Sequence, residues 1–177
     1  MSDAREEEVI IVDRENNIVG SAPRSVMRAK RLPHRATYCL VFSSKGEIFV
    51  QKRTSQKDIY PSHWEIAAGG VVSKGETYEA SAKRELEEEL GIRGVDLEPL
   101  FDFSFEDEEN FVWGRAFRCV YDGELTFQKE EVEMGMFLSV DALIKMIEKE
   151  RFTPDSIYLL GLLREKGFIS PSRPVSY

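Results

Sequence analysis

The sequence contains few cysteines, few histidines and no long apolar segment. Cys39 and Cys119, the two cysteines among 177 residues, lie far apart and lack the close spacing of a zinc site or a redox pair. We therefore expect two buried free thiols. No apolar run reaches the roughly 20 residues that a membrane span needs, and the acidic segment from Met1 to Glu8 lacks the apolar core of a signal peptide. The sequence predicts a cytoplasmic protein with no membrane partner.

A basic surface is missing as well. Aspartate and glutamate outnumber lysine and arginine by 32 to 24, and the formal net charge is -8. A protein that binds the backbone of a nucleic-acid polymer carries a basic stripe instead, so the composition argues against that class. An acidic protein can still bind phosphates through a metal ion. With 42% hydrophobic residues, the chain is long enough for one domain and too short for two comfortable ones.

The first part of the chain predicts a β-hairpin that precedes the rest of the fold. The apolar runs EVIIV, at residues 8–12, and IVGSA, at residues 18–22, flank a polar turn. A short helix is predicted over Pro23 to Lys30, because proline is favoured in the first turn of a helix. We treat residues 1–30 as a hairpin extension of a single domain that spans residues 1–177. The tail at residues 170–177, rich in proline and serine, is expected to be flexible.

Later segments alternate between strand-like and helix-like patterns, which is typical of an α/β protein. Strands are predicted over residues 36–42, 47–52, 97–105, 111–121 and 134–140. Two amphipathic helices are predicted over residues 141–150 and 154–166, and Thr153 is a suitable cap for the second.

The most informative stretch runs from residue 70 to residue 92 and reads GVVSKGETYEASAKRELEEELGI. Its defining residues are Gly70, then Glu76 after five residues, Arg84-Glu85-Leu86 after seven more, and Glu88-Glu89 and Gly91-Ile92, each after one more. Thr77 is a suitable N-cap and Gly91 a suitable C-terminal stop, so the stretch predicts one helix. Ala82, Leu86 and Leu90 form an apolar stripe that would pack on a core.

Glu85, Glu88 and Glu89 fall within one narrow arc of this helix. Like charges three and four residues apart repel one another, and such crowding should also raise their pKa. Carboxylate oxygens are the ligands that Mg²⁺ and Mn²⁺ prefer, so a bound divalent cation would reverse the repulsion. Arg84 lies one turn before Glu88 and could clamp it or Glu76. The alternative is a solvated, glutamate-rich helix, which is common in a chain with 32 acidic residues.

This stretch resembles the Nudix box and matches the family pattern at every specified position. Flanking segments extend the resemblance over roughly residues 5–165. The family hydrolyses a nucleoside diphosphate linked to another group, or related diphosphates, with Mg²⁺ or Mn²⁺ held by glutamates of the box. The resemblance therefore implies a diphosphatase with Mg²⁺ or Mn²⁺ as cofactor, folded as an α/β/α sandwich with a central mixed β-sheet.

The resemblance also implies a role for each polar residue of the box. Glu88 and Glu89 would be metal ligands, and Glu85 would be a ligand or the general base. Arg84 would orient the cluster. The carbonyl of Gly69, just before the box, would join the metal shell, because the glycine pair suits a close approach of the backbone.

Residues outside the box complete the predicted site. In several Nudix hydrolases a glutamate from a later region completes the metal site or acts as the general base, and Glu131 is favoured for that role, with Glu130 as the next candidate. Arg53 ends a strand and offers bidentate donors to a phosphate. Arg115 could meet another phosphate, and Trp113 could stack on a base.

The segment from residue 32 to residue 65 also resembles isopentenyl-diphosphate isomerase, a relative built on the same fold. In the isomerase a catalytic cysteine and then a histidine follow the tryptophan of this region. Gly69 and Val71 stand at those positions here, and neither side chain can transfer a proton to a double bond. Of the isomerase's metal-binding residues only His34 has a counterpart, and a lone histidine entering a strand is more often structural. The isomerase is therefore the alternative with less support.

The group attached to the diphosphate is not fixed by the box, because the box binds the part that all substrates share. The prolines that mark Nudix hydrolases specific for ADP-ribose or NADH are missing, since Pro99 is the only proline between Gly91 and Thr153. A nucleoside di- or triphosphate is the expected small-molecule partner, and a homodimer is left open. A binding module without catalysis is a further alternative, but such modules usually have a degraded box.

Overall fold

A computed structural model gives the structure of the protein and describes residues 6–171. The elements in this range are β1 (Glu8–Val12), β2 (Ile18–Pro23), α1 (Arg24–Lys30), β3 (His34–Phe42), β4 (Ile48–Arg53), β5 (Trp64–Glu65), α2 (Tyr78–Leu90), β6 (Glu98–Glu106), β7 (Phe111–Val120), β8 (Val132–Leu138), α3 (Val140–Ile147) and α4 (Pro154–Glu165). Residues 172–177, most of the segment predicted to be a flexible tail, lie outside the described residues.

The strands form one mixed sheet around β3 and β4. β3 pairs in parallel with β7 along its whole length, from His34 opposite Val112 to Phe42 opposite Val120. β7 also pairs antiparallel with β6, and β4 pairs antiparallel with β8. The hairpin of β1 and β2 joins the same sheet where Ile11 lies opposite His34. The predicted hairpin extension is therefore part of the central sheet.

β3 and β4 separate soon after the turn that joins them, since they pair only where Phe42 lies opposite Ile48. The segment after β5 enters the gap and pairs with β3 instead. Within this pairing the backbone N–H of Thr37 donates to the carbonyl of Gly70 at 2.9 Å. The divergence of the two strands therefore places the first residue of the box between them.

Helices cover both faces of the sheet. On one face α2 packs through its apolar stripe against strand residues such as Cys39 and Phe117. On the other face α3 and α4 enclose a second core, to which they contribute Leu143, Leu159, Leu160 and Leu163. Each such side chain contributes about 1.5–3 kcal/mol when it is fully buried. This arrangement confirms the predicted α/β/α sandwich with a central mixed β-sheet.

The helix of the box begins and ends where the sequence predicts. The Thr77 side chain accepts a hydrogen bond from the backbone N–H of Ala80 at 3.1 Å, and Gly91 adopts the left-handed conformation with a φ of 70°. Thr153 caps α4 in the same way. The helix predicted over residues 141–150 ends earlier, at Ile147. The short strand β5 was not predicted.

Cys39 and Cys119 are buried free thiols, as predicted. Burial raises the pKa of Cys39 well above its ordinary value and that of Cys119 to about 11, so neither thiol is activated as a nucleophile. Over residues 6–171, no helix is both long enough and apolar enough to cross a membrane.

Candidate metal and substrate site

α2 places two of the box glutamates against the glycine pair that precedes it. A Cβ atom on Gly70 would lie 2.6 Å from Glu85 Oε1, so a larger residue would push that carboxylate aside. Glu89 is only 5% exposed. Its Oε2 accepts hydrogen bonds from Gln51 Nε2 at 3.0 Å and from the backbone N–H of Gly69 at 3.4 Å. The carboxylates of the helix are thus held by neighbours from two other segments.

Arg84 binds three glutamates at once. Its Nε and Nη2 form a bidentate pair with Glu76 at 2.7 and 3.0 Å, while Nη1 donates to Glu85 at 3.0 Å and to Glu88 at 3.1 Å. The planar fork of a guanidinium fixes carboxylates in one geometry. The contact predicted between Arg84 and the acidic face is therefore present. Because one cation serves three carboxylates and Glu89 follows on the same helix, the cluster keeps an excess of negative charge.

The buried carboxylates of this cluster resist ionisation. Burial raises the pKa of Glu85 to about 7, in spite of the opposing charge of Arg84. Burial likewise raises the pKa of Glu89 well above its ordinary value, and the charges of Glu85 and Glu65 add to the effect. Crowding among like charges, which the sequence suggests as the cause of a raised pKa, is therefore secondary to burial.

The donor set fits a divalent cation of the Mg²⁺ type. Glu85, Glu88 and Glu89 supply carboxylate oxygens, and Gln51 Oε1 is buried without a hydrogen-bond partner among the described residues. Within residues 6–171, no group of three histidine, cysteine or acidic side chains is placed so that it could hold a metal ion. Mg²⁺ usually keeps several waters and is completed by substrate phosphates. The site therefore fits an ion that the protein and its substrate hold together.

Gly69 occupies a position that excludes every other residue. Its φ is +147°, and a Cβ atom there would lie 2.0 Å from the carbonyl oxygen of Thr37. Backbone atoms cannot move aside as a flexible side chain can, so the close approach expected of this glycine is present. The role of its carbonyl as a metal ligand stays a prediction.

Glu131 lies just before β8, opposite the end of β4, because Arg53 pairs with Val132. Its carboxylate forms an ion pair with Lys57. Lys57 is in turn close enough to Glu89 to counteract the rise in the pKa of that carboxyl. The fold thus connects Glu131 to the box through one lysine, and its role as a ligand or base stays a prediction.

A cleft begins at Gly69 and Gly70 and follows the diverging ends of β3 and β4. Its cationic residues are Arg24, Arg28, Arg53 and Lys57. Arg53, which the sequence predicts as a phosphate contact, donates to Glu65 at 3.1 Å and to the carbonyl of Ile59 at 3.0 Å. The structure therefore places Arg53 in the same cleft as the glycine pair, where a phosphate contact is feasible.

Arg24 and Arg28 are site residues that the sequence analysis missed. They belong to α1, and their spacing of four residues, which puts both on one face of a helix, was the only local signal. Both bind the same oxygen, Asp58 Oδ2, through Nε atoms at 3.4 and 2.9 Å. Asp58 lies about 30 residues later in the chain, so this contact exists only in the folded protein.

Two of the predicted substrate contacts lie elsewhere. Arg115 forms a bidentate pair with Asp102 at 2.6 and 3.0 Å, and its guanidinium stacks over the Tyr78 ring. Trp113 is partly buried against the core beneath α2. Neither residue lines the cleft, and their roles in substrate binding stay predictions.

His34 is buried at the start of β3, and its Nδ1 lies 2.9 Å from the carbonyl of Leu32. Burial, together with the charge of Arg28, lowers the pKa of His34 to about 3. The ring is therefore neutral, and its Nδ1–H donates to the carbonyl. This geometry agrees with the structural role expected for a lone histidine entering a strand.

The family model described as the NUDIX domain matches residues 32–160, which include the box and the glycine pair. The chain belongs to the Nudix hydrolase family. An uncharacterized Nudix hydrolase of Yersinia pestis is 44% identical over 154 residues, which cover 87% of this chain and 84% of that relative. Because the family match begins after α1, Arg24 and Arg28 lie outside it.

Solved Nudix structures share the fold. DR0079 of Deinococcus radiodurans has a TM-score of 0.75 at 24% identity, and the match covers 90% of this chain and 98% of that one. The Nudix domain of NrtR from Shewanella oneidensis, solved in complex with ADP-ribose, has a TM-score of 0.62 at 13% identity, and the match covers 76% and 88%. At these identities the likeness shows the fold alone.

Proposed function

We propose that this Nudix protein hydrolyses a diphosphate linkage and depends on Mg²⁺ or Mn²⁺. The observation that carries the proposal is the glutamate cluster of α2, with Glu85 and Glu89 turned away from solvent and Glu88 exposed, which Arg84 holds beside the glycine pair of a cleft that contains four cationic side chains. Carboxylates of the cluster would bind the metal, and the cations of the cleft would bind phosphate. We propose that a single domain, which includes the hairpin extension, carries this activity.

The residues of the site have separable roles in this reaction. A divalent ion held by Glu88 and Glu89, with Glu85 as a further ligand or as the base, would neutralise the charge that develops on the diphosphate and lower the pKa of the attacking water. Glu85 is the first candidate for the base that takes the water proton, because burial already raises its pKa to about 7. Glu131, held by Lys57, is the second candidate. Arg84 keeps the carboxylates in position during the reaction.

Attack of water at one phosphorus breaks the bridging P–O bond and releases two phosphate-bearing products. A nucleoside di- or triphosphate is the proposed substrate class. The cationic residues of the cleft support an anionic substrate, and a Nudix domain of the same fold has been solved with a nucleotide-derived ligand, ADP-ribose.

Isomerisation of isopentenyl diphosphate has less support. A side chain on Gly69 would collide with the carbonyl of Thr37. Val71 is buried in an apolar cluster with Val9 and Met27. Neither position can therefore supply the proton-transfer group that isomerisation needs.

A panel of nucleoside di- and triphosphates, dinucleotides and nucleotide sugars tests the proposal. Each compound is incubated with Mg²⁺ or Mn²⁺ and analysed by chromatography. We expect phosphate or a nucleoside monophosphate to be released from at least one compound, and no release when the metal is chelated. A folded protein that binds metal but leaves the whole panel intact would support a binding module. Dimethylallyl diphosphate formed at enzyme-like rates would support the isomerase.

A further inference from the structure

α1 is an unusual contributor to the cleft, because it lies outside the residues that the Nudix family model matches. It supplies Arg24 and Arg28, whose side chains are only 21% and 16% exposed. Holding two guanidinium groups close together and largely away from water costs stability unless each has a partner of opposite charge. The partners of these arginines therefore decide what the cleft can bind.

The ion pairing of these arginines is incomplete. Both contact a single oxygen of Asp58, and within residues 6–171 neither has another carboxylate within ion-pair distance. Burial alone would raise the pKa of Asp58, but Arg28 and Arg24 outweigh it and hold the pKa well below its ordinary value. Asp58 therefore stays charged, and two positive charges minus one negative charge leave one in excess.

The other cations of the cleft already have partners of their own. Arg53 is paired with Glu65, and Lys57 is paired with Glu131. The unpaired positive charge thus lies at α1, whereas Asp155, which also lines the cleft, accepts a hydrogen bond from the Tyr38 hydroxyl and has no ion-pair partner among the described residues. α1 is close to the box, because Arg24 and Arg28 line the same cleft as Gly70, and Gly70 lies against the Glu85 carboxylate.

We propose that Arg24 and Arg28 form a second anion-binding subsite, which holds a phosphate beyond the diphosphate that meets the metal. The inference rests on the proposed function and narrows its substrate class to compounds with a third phosphate, such as a linear triphosphate. A phosphate offers several oxygens to two guanidinium groups, whereas Asp58 offers them one. Asp58 holds the arginines in place and competes with the incoming phosphate for them.

Binding of inorganic tripolyphosphate to the full chain, measured by calorimetry in the presence of EDTA, tests this subsite. The double variant Arg24→Gln/Arg28→Gln removes the excess charge and should weaken binding on the order of 10-fold or more. Asp58→Asn removes the competing carboxylate and should strengthen binding several-fold. Inorganic diphosphate, which lacks the third phosphate, should respond less to both changes.

Arg118→Gln is the control, because Arg118 is a partly exposed arginine that pairs with Glu98 where β6 and β7 meet. It removes one positive charge, half the change in the double variant, and should leave binding of tripolyphosphate unchanged. Since no metal or hydrolysis is involved, the result does not depend on the proposed catalysis. Asp58→Asn guards against misfolding of the double variant, because an unfolded protein would not bind more tightly.

Three outcomes would overturn the subsite. The first is a wild-type protein that does not bind tripolyphosphate. The second is an affinity that Asp58→Asn leaves unchanged or weakens. The third is a loss of binding free energy in Arg118→Gln that equals, per charge removed, the loss in the double variant, which would assign the binding to net charge alone.

Discussion

Two ion-pair clusters lie beside the same cleft, one with more carboxylates than cations and the other with more cations than carboxylates. In the box, one arginine, Arg84, holds three glutamates. At α1, one aspartate, Asp58, holds two arginines. Each cluster is held together by an internal partner and keeps an excess of one sign. A metal ion and an anionic substrate would therefore each supply the opposite charge that one of the clusters lacks.

The two clusters also differ in how burial competes with neighbouring charges. At Glu89, which is 5% exposed, burial prevails and the pKa rises. At Asp58, whose side chain is 38% exposed, the two arginines prevail and the pKa falls. The ionised form of the box cluster is therefore the one that most needs an external cation, and changes there should have the larger effects.

The largest effect is expected from Glu89→Gln, which removes the ionisable carboxyl that is buried in the box. We expect kcat/KM on the best substrate of the panel to fall on the order of 100-fold or more, because a metal ligand is lost. Stability without metal should stay the same or rise slightly, since glutamine resembles the protonated carboxyl. Steady-state rates and thermal melts in EDTA provide the measurements.

Glu87→Gln is the matched control for this change. Glu87 lies on the same helix but is exposed and pairs with Arg93. It should keep nearly full activity. Full activity in Glu89→Gln would show that this carboxylate is not a metal ligand. The glutamate cluster would then no longer be supported as the metal site.

A smaller effect is expected from Arg84→Lys, which keeps the charge of the clamp but removes its planar fork. One ammonium cannot reproduce the bidentate pair with Glu76 and also hold Glu85 and Glu88. We expect activity to fall by about 10- to 100-fold, as for residues that orient metal ligands. Because the ion pairs are partly exposed, stability should fall by only about 1 kcal/mol. Unchanged rates would mean that charge, and not geometry, is what Arg84 supplies.

At neutral pH the smallest effect concerns His34, whose pKa is influenced by the nearby charges of Arg28, Arg24 and Asp58. Its pKa is about 3 in the folded protein against an ordinary value of 6.5. Between these values the unfolded chain binds a proton that the folded protein does not. The stability that His34 contributes is therefore complete above pH 6.5 and is lost as the pH falls towards 3.

Denaturant unfolding at several pH values checks this prediction. His34→Gln should flatten the acid dependence of the unfolding free energy by up to about 1.4 kcal/mol per pH unit. His63→Gln, the same substitution at the other histidine, should flatten it less. If the unfolding free energy of the two variants had the same slope against pH, burial and the nearby arginines would not lower the pKa of His34.

The helix of the box could be predicted from its own residues because its signals are local, whereas the sandwich fold and the proposed metal-binding role of the glutamates came from the resemblance to the Nudix box. The cap at Thr77, the stop at Gly91 and the spacing of the apolar stripe all lie within one stretch, and the structure has that helix where they place it. The clamp by Arg84 was also predictable, because Glu88 lies one turn away on the same helix.

The cluster of Arg24, Arg28 and Asp58 could not be predicted in the same way. Asp58 meets Arg24 and Arg28 only after α1 and the loop after β4 come together, and no local pattern joins residues about 30 positions apart. Likewise, the contact between Gln51 and Glu89 forms only when β4 has paired with its neighbours in the sheet. The raised pKa of Glu85 was foreseen, but its main cause, burial, is a property of the folded protein.

The most direct test of the account is the shift in melting temperature that Mg²⁺ causes in the wild type, Glu88→Gln, Glu89→Gln and Glu87→Gln. An ion that binds the folded protein and not the unfolded chain raises its stability by RT ln(1 + [Mg²⁺]/Kd). We expect Mg²⁺ to raise the melting temperature clearly in the wild type and in Glu87→Gln, and much less in Glu88→Gln and Glu89→Gln. Equal shifts in all four proteins, or none in the wild type, would contradict the claim that the acidic cluster is the metal site.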